Sequence, residues 1–136
     1  MSAGAPSIRA FLCDDVLELR TLLRFALEED GDIRIVGEAG DALAALSGVR
    51  ELLPDVVLLD LSMPGIDGLE AIPLLLDVAP EIGIVVFSGF AADRMSTPAI
   101  SLGADRYLEK GAPLEAVRTA VREVAEAHRQ RRAPAA

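Results

Sequence analysis

The sequence predicts an α/β fold in which a doubly wound, five-stranded parallel sheet carries helices on both faces. Short apolar runs alternate with longer amphipathic segments along the whole chain, the pattern of repeated strand and helix units. One run, Val56-Val57-Leu58-Leu59, is apolar without alternation, as a strand buried on both faces must be. That run ends abruptly in Asp60 and a loop, which places a carboxylate at a strand's carboxyl end, where open α/β sheets bind ligands.

Strands are expected near 8–13, 33–38, 55–60, 83–88 and 105–109, and helices near 15–29, 41–51, 67–79, 94–103 and 113–131. The first strand is the mostly apolar Ile8-Arg9-Ala10-Phe11-Leu12-Cys13. In the helix after it, Leu19, Leu22, Leu23 and Ala26 recur at steps of three and four and form the stripe expected to cover the sheet. Asp67 is placed to cap the third helix, and Gly65 and Gly68 suit the turn before it. Pro73 removes a backbone donor, so that helix is expected to begin close to it or to bend there. Ile84-Val85-Val86-Phe87 is the fourth strand, closed by Ser88 and Gly89. Pro98 is expected in the first turn of a shortened fourth helix capped by Thr97. The fifth strand is Arg106-Tyr107-Leu108-Glu109, followed by Lys110. In the last helix, Leu114, Val117, Val121 and Val124 form the buried stripe, with Arg118, Arg122, Glu123 and Glu126 mostly on the other side.

With 136 residues, 51% of them hydrophobic, the chain fits one domain able to bury a core without staples. The net charge of −9 opposes direct binding to nucleic acid, whose phosphates would repel this surface. The single Cys13 permits no disulfide within the chain and reads as packing. No apolar stretch approaches a membrane span and the N-terminus lacks the pattern of a secretory signal, so a cytoplasmic protein without membrane contact is expected. Residues 1–7 are read as a flexible N-terminus, 8–127 as the domain, and 128–136 as a basic helix end or the start of a linker. His128 is expected to be solvated.

Two strands end in acids: Asp14-Asp15 after the first, Asp60 after the third. Singly, Asp14 or Asp15 reads equally well as a helix cap or turn residue. Side by side, the three carboxylates require a neutralising cation, and hard oxygen ligands suit Mg²⁺.

Asp14-Asp15, Asp60, the loop Ser62-Met63-Pro64-Gly65, Ser88-Gly89 and the segment Gly103 to Lys110, in this order, resemble the receiver domain of two-component response regulators over about residues 8 to 127. The resemblance implies a flavodoxin-like strand order 2-1-3-4-5 and a signalling switch that accepts a phosphoryl group on Asp60 from a sensor histidine kinase or phosphotransfer protein. It implies Mg²⁺ held by the side chains of Asp15 and Asp60, by the Ser62 backbone carbonyl, and by Asp14 directly or through water. Lys110 would be the fixed cation, Ser88 the switch hydroxyl and Tyr107 the aromatic that moves with it. Such a chain is not an enzyme acting on other molecules but catalyses its own phosphotransfer and dephosphorylation. Its state would be read by an output domain or partner, with dimerisation on phosphorylation as one form of readout.

Three features depart from the family pattern. Gly111 stands where many members have proline, Pro98 interrupts the fourth helix at the usual output surface, and Ser62 and Phe90 lie two residues beyond Asp60 and Ser88, where they bear on water access to the phosphate. Two other functions compete. An aspartate-nucleophile phosphatase of the haloacid dehalogenase type wants a second acid where Ser62 stands. A pseudo-receiver would keep the fold as a binding module without phosphorylation.

Overall fold

The computed structural model describes residues 8–132. The chain alternates β1 (Ile8–Cys13), α1 (Leu17–Glu28), β2 (Ile33–Ala39), α2 (Ala42–Leu52), β3 (Val56–Leu59), α3 (Gly68–Val78), β4 (Gly83–Ser88), α4 (Ala92–Ser101), β5 (Arg106–Glu109) and α5 (Leu114–Arg132). All pairings are parallel and the strand order is β2-β1-β3-β4-β5. The expected fold class and order are therefore observed.

Successive residues of the central strands serve opposite faces, which is why their sequence is apolar without alternation. Phe11, Val57, Leu59, Ile84 and Val86 enter a core with Val49 of α2, Ile72 and Leu75 of α3 and Ala99 of α4. Ala10, Leu12, Val56, Leu58, Val85 and Phe87 enter a second core with Leu23 and Leu27 of α1 and Val117, Val121 and Val124 of α5. The Phe11 ring occupies a slot that two glycines leave open: a Cβ at Gly37 or at Gly48 would stand 2.6 Å from ring carbons.

Several local expectations are corrected. Leu22 is 53% exposed, and the stripe of α1 is completed by the fully buried Leu27. Helix α3 begins five residues before Pro73, which lies inside it, so the break falls within a helix already anchored by its cap: Asp67 accepts a hydrogen bond from Leu69 N at 3.0 Å. Pro98 likewise lies inside α4 and Thr97 is helical. That helix starts at Ala92 after an Ala91 cap with no side-chain hydrogen bond, and Ala99 packs into the core one position past the proline. Strand β3 stops at Leu59, leaving Asp55 and Asp60 just outside its ends.

His128 is not solvated. Its Nε2 lies 2.9 Å from Asp105 Oδ1 while Asp105 Oδ2 accepts a hydrogen bond from Ile84 N at 2.9 Å. Arg118 and Arg122 are also tied down, to Glu29, Asp30 and Asp32 in the turn after α1. No described helix is long and apolar enough to cross a membrane.

Candidate functional site

Register assembles the site. Cys13 of β1 pairs with Leu59 of β3, so the next residues, Asp14 and Asp60, emerge side by side at the carboxyl edge of the sheet. Backbone bonds fix both: Asp60 N donates to Cys13 O at 2.9 Å and Asp14 N to Ala39 O at 3.0 Å. On the far side, Lys110 N donates to Ser88 O at 2.7 Å, which brings the end of β5 against the end of β4.

Asp60 is buried, its side chain wholly so. Lys110 Nζ lies 3.0 Å from Asp60 Oδ2 and 2.9 Å from Asp14 Oδ2. Burial works against the Lys110 charge, but hydrogen bonds to Asp14 and Asp60 outweigh it and hold its pKa above the ordinary value. The lysine is therefore a fixed cation at neutral pH. Asp14 uses its other oxygen for Val16 N at 2.9 Å, so it is a turn residue and a member of the acid cluster at once.

Carboxylate oxygens of Asp14, Asp15 and Asp60 lie within 4.8 Å of one another. Asp14 and Asp60 are buried and Asp15 is exposed, which suits a hard divalent cation that keeps part of its water shell. The donor set is all oxygen and the separations need only small adjustment to share one ion, so the residues fit such a group.

Ser88 is completely buried and its Oγ accepts from Phe90 N at 3.4 Å. Tyr107 is half-buried, and its hydroxyl donates to the Phe90 carbonyl at 2.8 Å. Burial raises the Tyr107 pKa above its ordinary value; a hydrogen bond to Ser88 acts downward, but the Glu109 and Asp60 carboxylates add to the rise, so the hydroxyl keeps its proton to donate. A Cβ at Gly89 would meet nothing within 4 Å, so no packing contact demands glycine there. Gly68 is demanded: a Cβ would stand 1.9 Å from the Leu61 carbonyl oxygen. Gly111 has φ of +115°, a conformation proline cannot adopt, so this loop is shaped for the residue it carries.

The Ser62 side chain has a role that its motif position does not signal. Its Oγ reaches both Asp60 oxygens, at 3.0 and 2.9 Å, and its backbone N–H donates to Oδ1 at 3.1 Å. Arg20 was also missed by sequence reasoning. It donates to the Asp14 carbonyl at 2.5 Å, and only its place on a helix facing the edge of the sheet hints at this. Cys13 is buried, and burial raises its thiol pKa far above the ordinary value, so it is inert packing as expected.

The chain is similar to known proteins. The family model described as response regulator receiver domain matches residues 10–122. The chain belongs to the response regulator receiver family. Among relatives of the receiver, the response regulator GacA of Pseudomonas aeruginosa is 39% identical over 117 residues, covering 86% of this chain and 55% of that protein. A protein-glutamate methylesterase/protein-glutamine glutaminase of Azospirillum brasilense is 40% identical over 112 residues, covering 80% of this chain and 28% of that protein. The chain thus spans about half or less of the length of these curated relatives. A crystal structure of a LuxR-family two-component response regulator from Aurantimonas sp. SI85-9A1 superposes with a TM-score of 0.84 at 27% identity, covering 89% of this chain and 86% of that one.

Proposed function

We propose that this receiver is a phosphorylation switch in which Asp60 accepts a phosphoryl group from a histidine kinase or phosphotransfer protein. The observation that carries the reading is the buried Asp60 carboxylate in contact with Lys110 at 3.0 Å and clustered with Asp14 and Asp15. In the transfer, an Asp60 oxygen forms a bond to phosphorus as the bond from phosphorus to the donor's imidazole nitrogen breaks, the nitrogen keeping the electron pair. The product is an acyl phosphate. Phosphoryl transfer asks little of a protein beyond positioning and charge stabilisation. Lys110 would leave its contact with the Asp60 oxygen for a phosphoryl oxygen, and Ser62 would release the oxygen that attacks. Mg²⁺, when held by Asp14, Asp15, Asp60 and the Ser62 carbonyl, would supply neutralising charge to the phosphoryl oxygens.

Ser88 is the switch hydroxyl in this reading. Drawn to the phosphoryl group, it would change its contact with Phe90, whose carbonyl also anchors Tyr107. A modification at Asp60 would then reach the exposed surface of α4 and β5 through two hydrogen bonds. An output domain or partner protein would read that surface, as a cytoplasmic signalling module of about residues 8–127 requires.

Intact mass after incubation with Mg²⁺ and a small acyl phosphate tests the reading. The wild-type chain should gain one phosphoryl group and Asp60→Asn none. Absence of labelling in the wild type would leave a pseudo-receiver, and steady turnover of unrelated phosphate esters would indicate a phosphatase.

A further inference from the structure

We propose that Arg20 is a positioning residue for the cation site, an inference that rests on the function proposed above. The carbonyl that Arg20 Nη1 grips at 2.5 Å belongs to the peptide joining Asp14 to Asp15. The two ends of that peptide are the Cα atoms of Asp14 and Asp15, so a displacement of it carries both carboxylates with it. The guanidinium is itself anchored, because its Nε donates to Glu38 Oε1 at 2.9 Å, and Glu38 is held from its other oxygen by Arg24, whose Nε lies at 3.0 Å. The Arg20 and Glu38 side chains are only 16% and 21% exposed, so the brace is largely shielded from water.

The backbone leaves room for this arrangement. A Cβ at Gly40 would stand 3.2 Å from Arg20 Nη1 and 3.8 Å from both Asp14 O and Asp15 Cα. Asp14 is consequently fixed at three points: its N–H on Ala39 O, its carbonyl under Arg20, and its Oδ1 under Val16 N. Lys110 then meets an Oδ2 that is already aimed.

The sign of the effect separates positioning from charge. A positive group beside a cation site weakens cation binding by Coulomb's law, so loss of Arg20 through charge alone would tighten binding. Loss of positioning weakens it. Isothermal titration of Mg²⁺ into the full chain should show the dissociation constant of Arg20→Met raised about tenfold, the scale on which partners behind a metal ligand act. Arg24→Met removes the same positive charge and the second partner of Glu38 but leaves the Asp14 carbonyl gripped, and should lose much less than Arg20→Met. Arg20→Lys keeps the charge without the planar fork and should fall between them, which keeps the test available if Arg20→Met folds poorly. Backbone ¹⁵N relaxation of residues 15 and 16 should show added fast motion in the Arg20 variants and clearly less in Arg24→Met. Arg20 variants that bind Mg²⁺ as tightly as wild type, or an equal loss in Arg24→Met, would overturn the inference alone. A wild-type chain that takes no Mg²⁺ would overturn the cation site with it.

Discussion

Replacing Lys110 with methionine removes the ammonium that bridges Asp14 and Asp60 and leaves the two acids facing one another. Their side chains are 4% and 0% exposed and their oxygens lie within 4.8 Å, so water does little to screen them. Coulomb's law at an effective dielectric constant of about 20 puts roughly 3.5 kcal/mol of repulsion at that separation. Breaking a buried pair by removing one partner costs about 3–5 kcal/mol, and Lys110 retains some solvent contact, so we expect the variant to lose about 2–4 kcal/mol. Urea unfolding in the presence of a chelator reads this as a midpoint lowered by about 1–2 M at a slope near 2 kcal/mol per M. Adding Asp60→Asn to Lys110→Met should restore most of the loss, because it removes the repulsion at its source. Mg²⁺ at about a hundredfold over its dissociation constant should return up to ~2.7 kcal/mol to the single variant. A Lys110→Met chain within about 0.5 kcal/mol of wild type, or one that Asp60→Asn does not rescue, would refute the claim that this site stores repulsion which a cation relieves.

Three other outcomes follow from the same structure. Gly68→Ala drives a methyl into the Leu61 carbonyl and should cost about 3 kcal/mol or more, seen as a melting temperature lowered by over about 6 °C; a melt within a degree or two of wild type would show the turn to be compliant. Asp105→Ala strips the Ile84 N–H of its partner and His128 of its anchor, and should cost about 1–3 kcal/mol by urea unfolding, whereas His128→Gln alone should cost less. Acid should destabilise the fold through Asp32 and Glu38. The Arg122 hydrogen bond holds the Asp32 carboxyl below its ordinary 3.8; for Glu38 burial acts upward, but Arg24 and Arg20 outweigh it and hold the group below 4.5. A depressed folded-state pKa contributes stability that is present above the ordinary value and lost as the pH falls through the lower one. Urea midpoints should therefore hold from neutral pH down to that range and drop below it, and Arg24→Met should flatten the drop.

Much of the fold was legible because burial on both faces leaves a direct trace in composition. The runs of β1, β3 and β4 are apolar since their hydrophobic residues belong to one core or the other, and all five strands begin and end within a residue of the expected bounds. The helices were legible as stripes but not at their edges. Leu22 and Leu27 lie five residues apart, and nothing local tells which of them faces the sheet once α5 is docked beside α1. Pro73 and Pro98 read as boundaries because proline disfavours helix interiors; both are tolerated inside helices whose neighbours pack into the core. His128 read as solvated because its partner, Asp105, lies far from it in sequence.

The sequence by itself determined the layered α/β architecture and the strand ends at which acids, hydroxyl and lysine emerge, since alternating burial and abrupt polar termini are local properties of the chain. Only the tertiary structure decided that Lys110 spans Asp14 and Asp60, that the Ser62 hydroxyl sits on both Asp60 oxygens, and that Arg20 grips the peptide between the paired acids. Those contacts depend on the register of parallel strands whose partners are distant in sequence, and a register is fixed by packing across the whole sheet rather than by any segment of it.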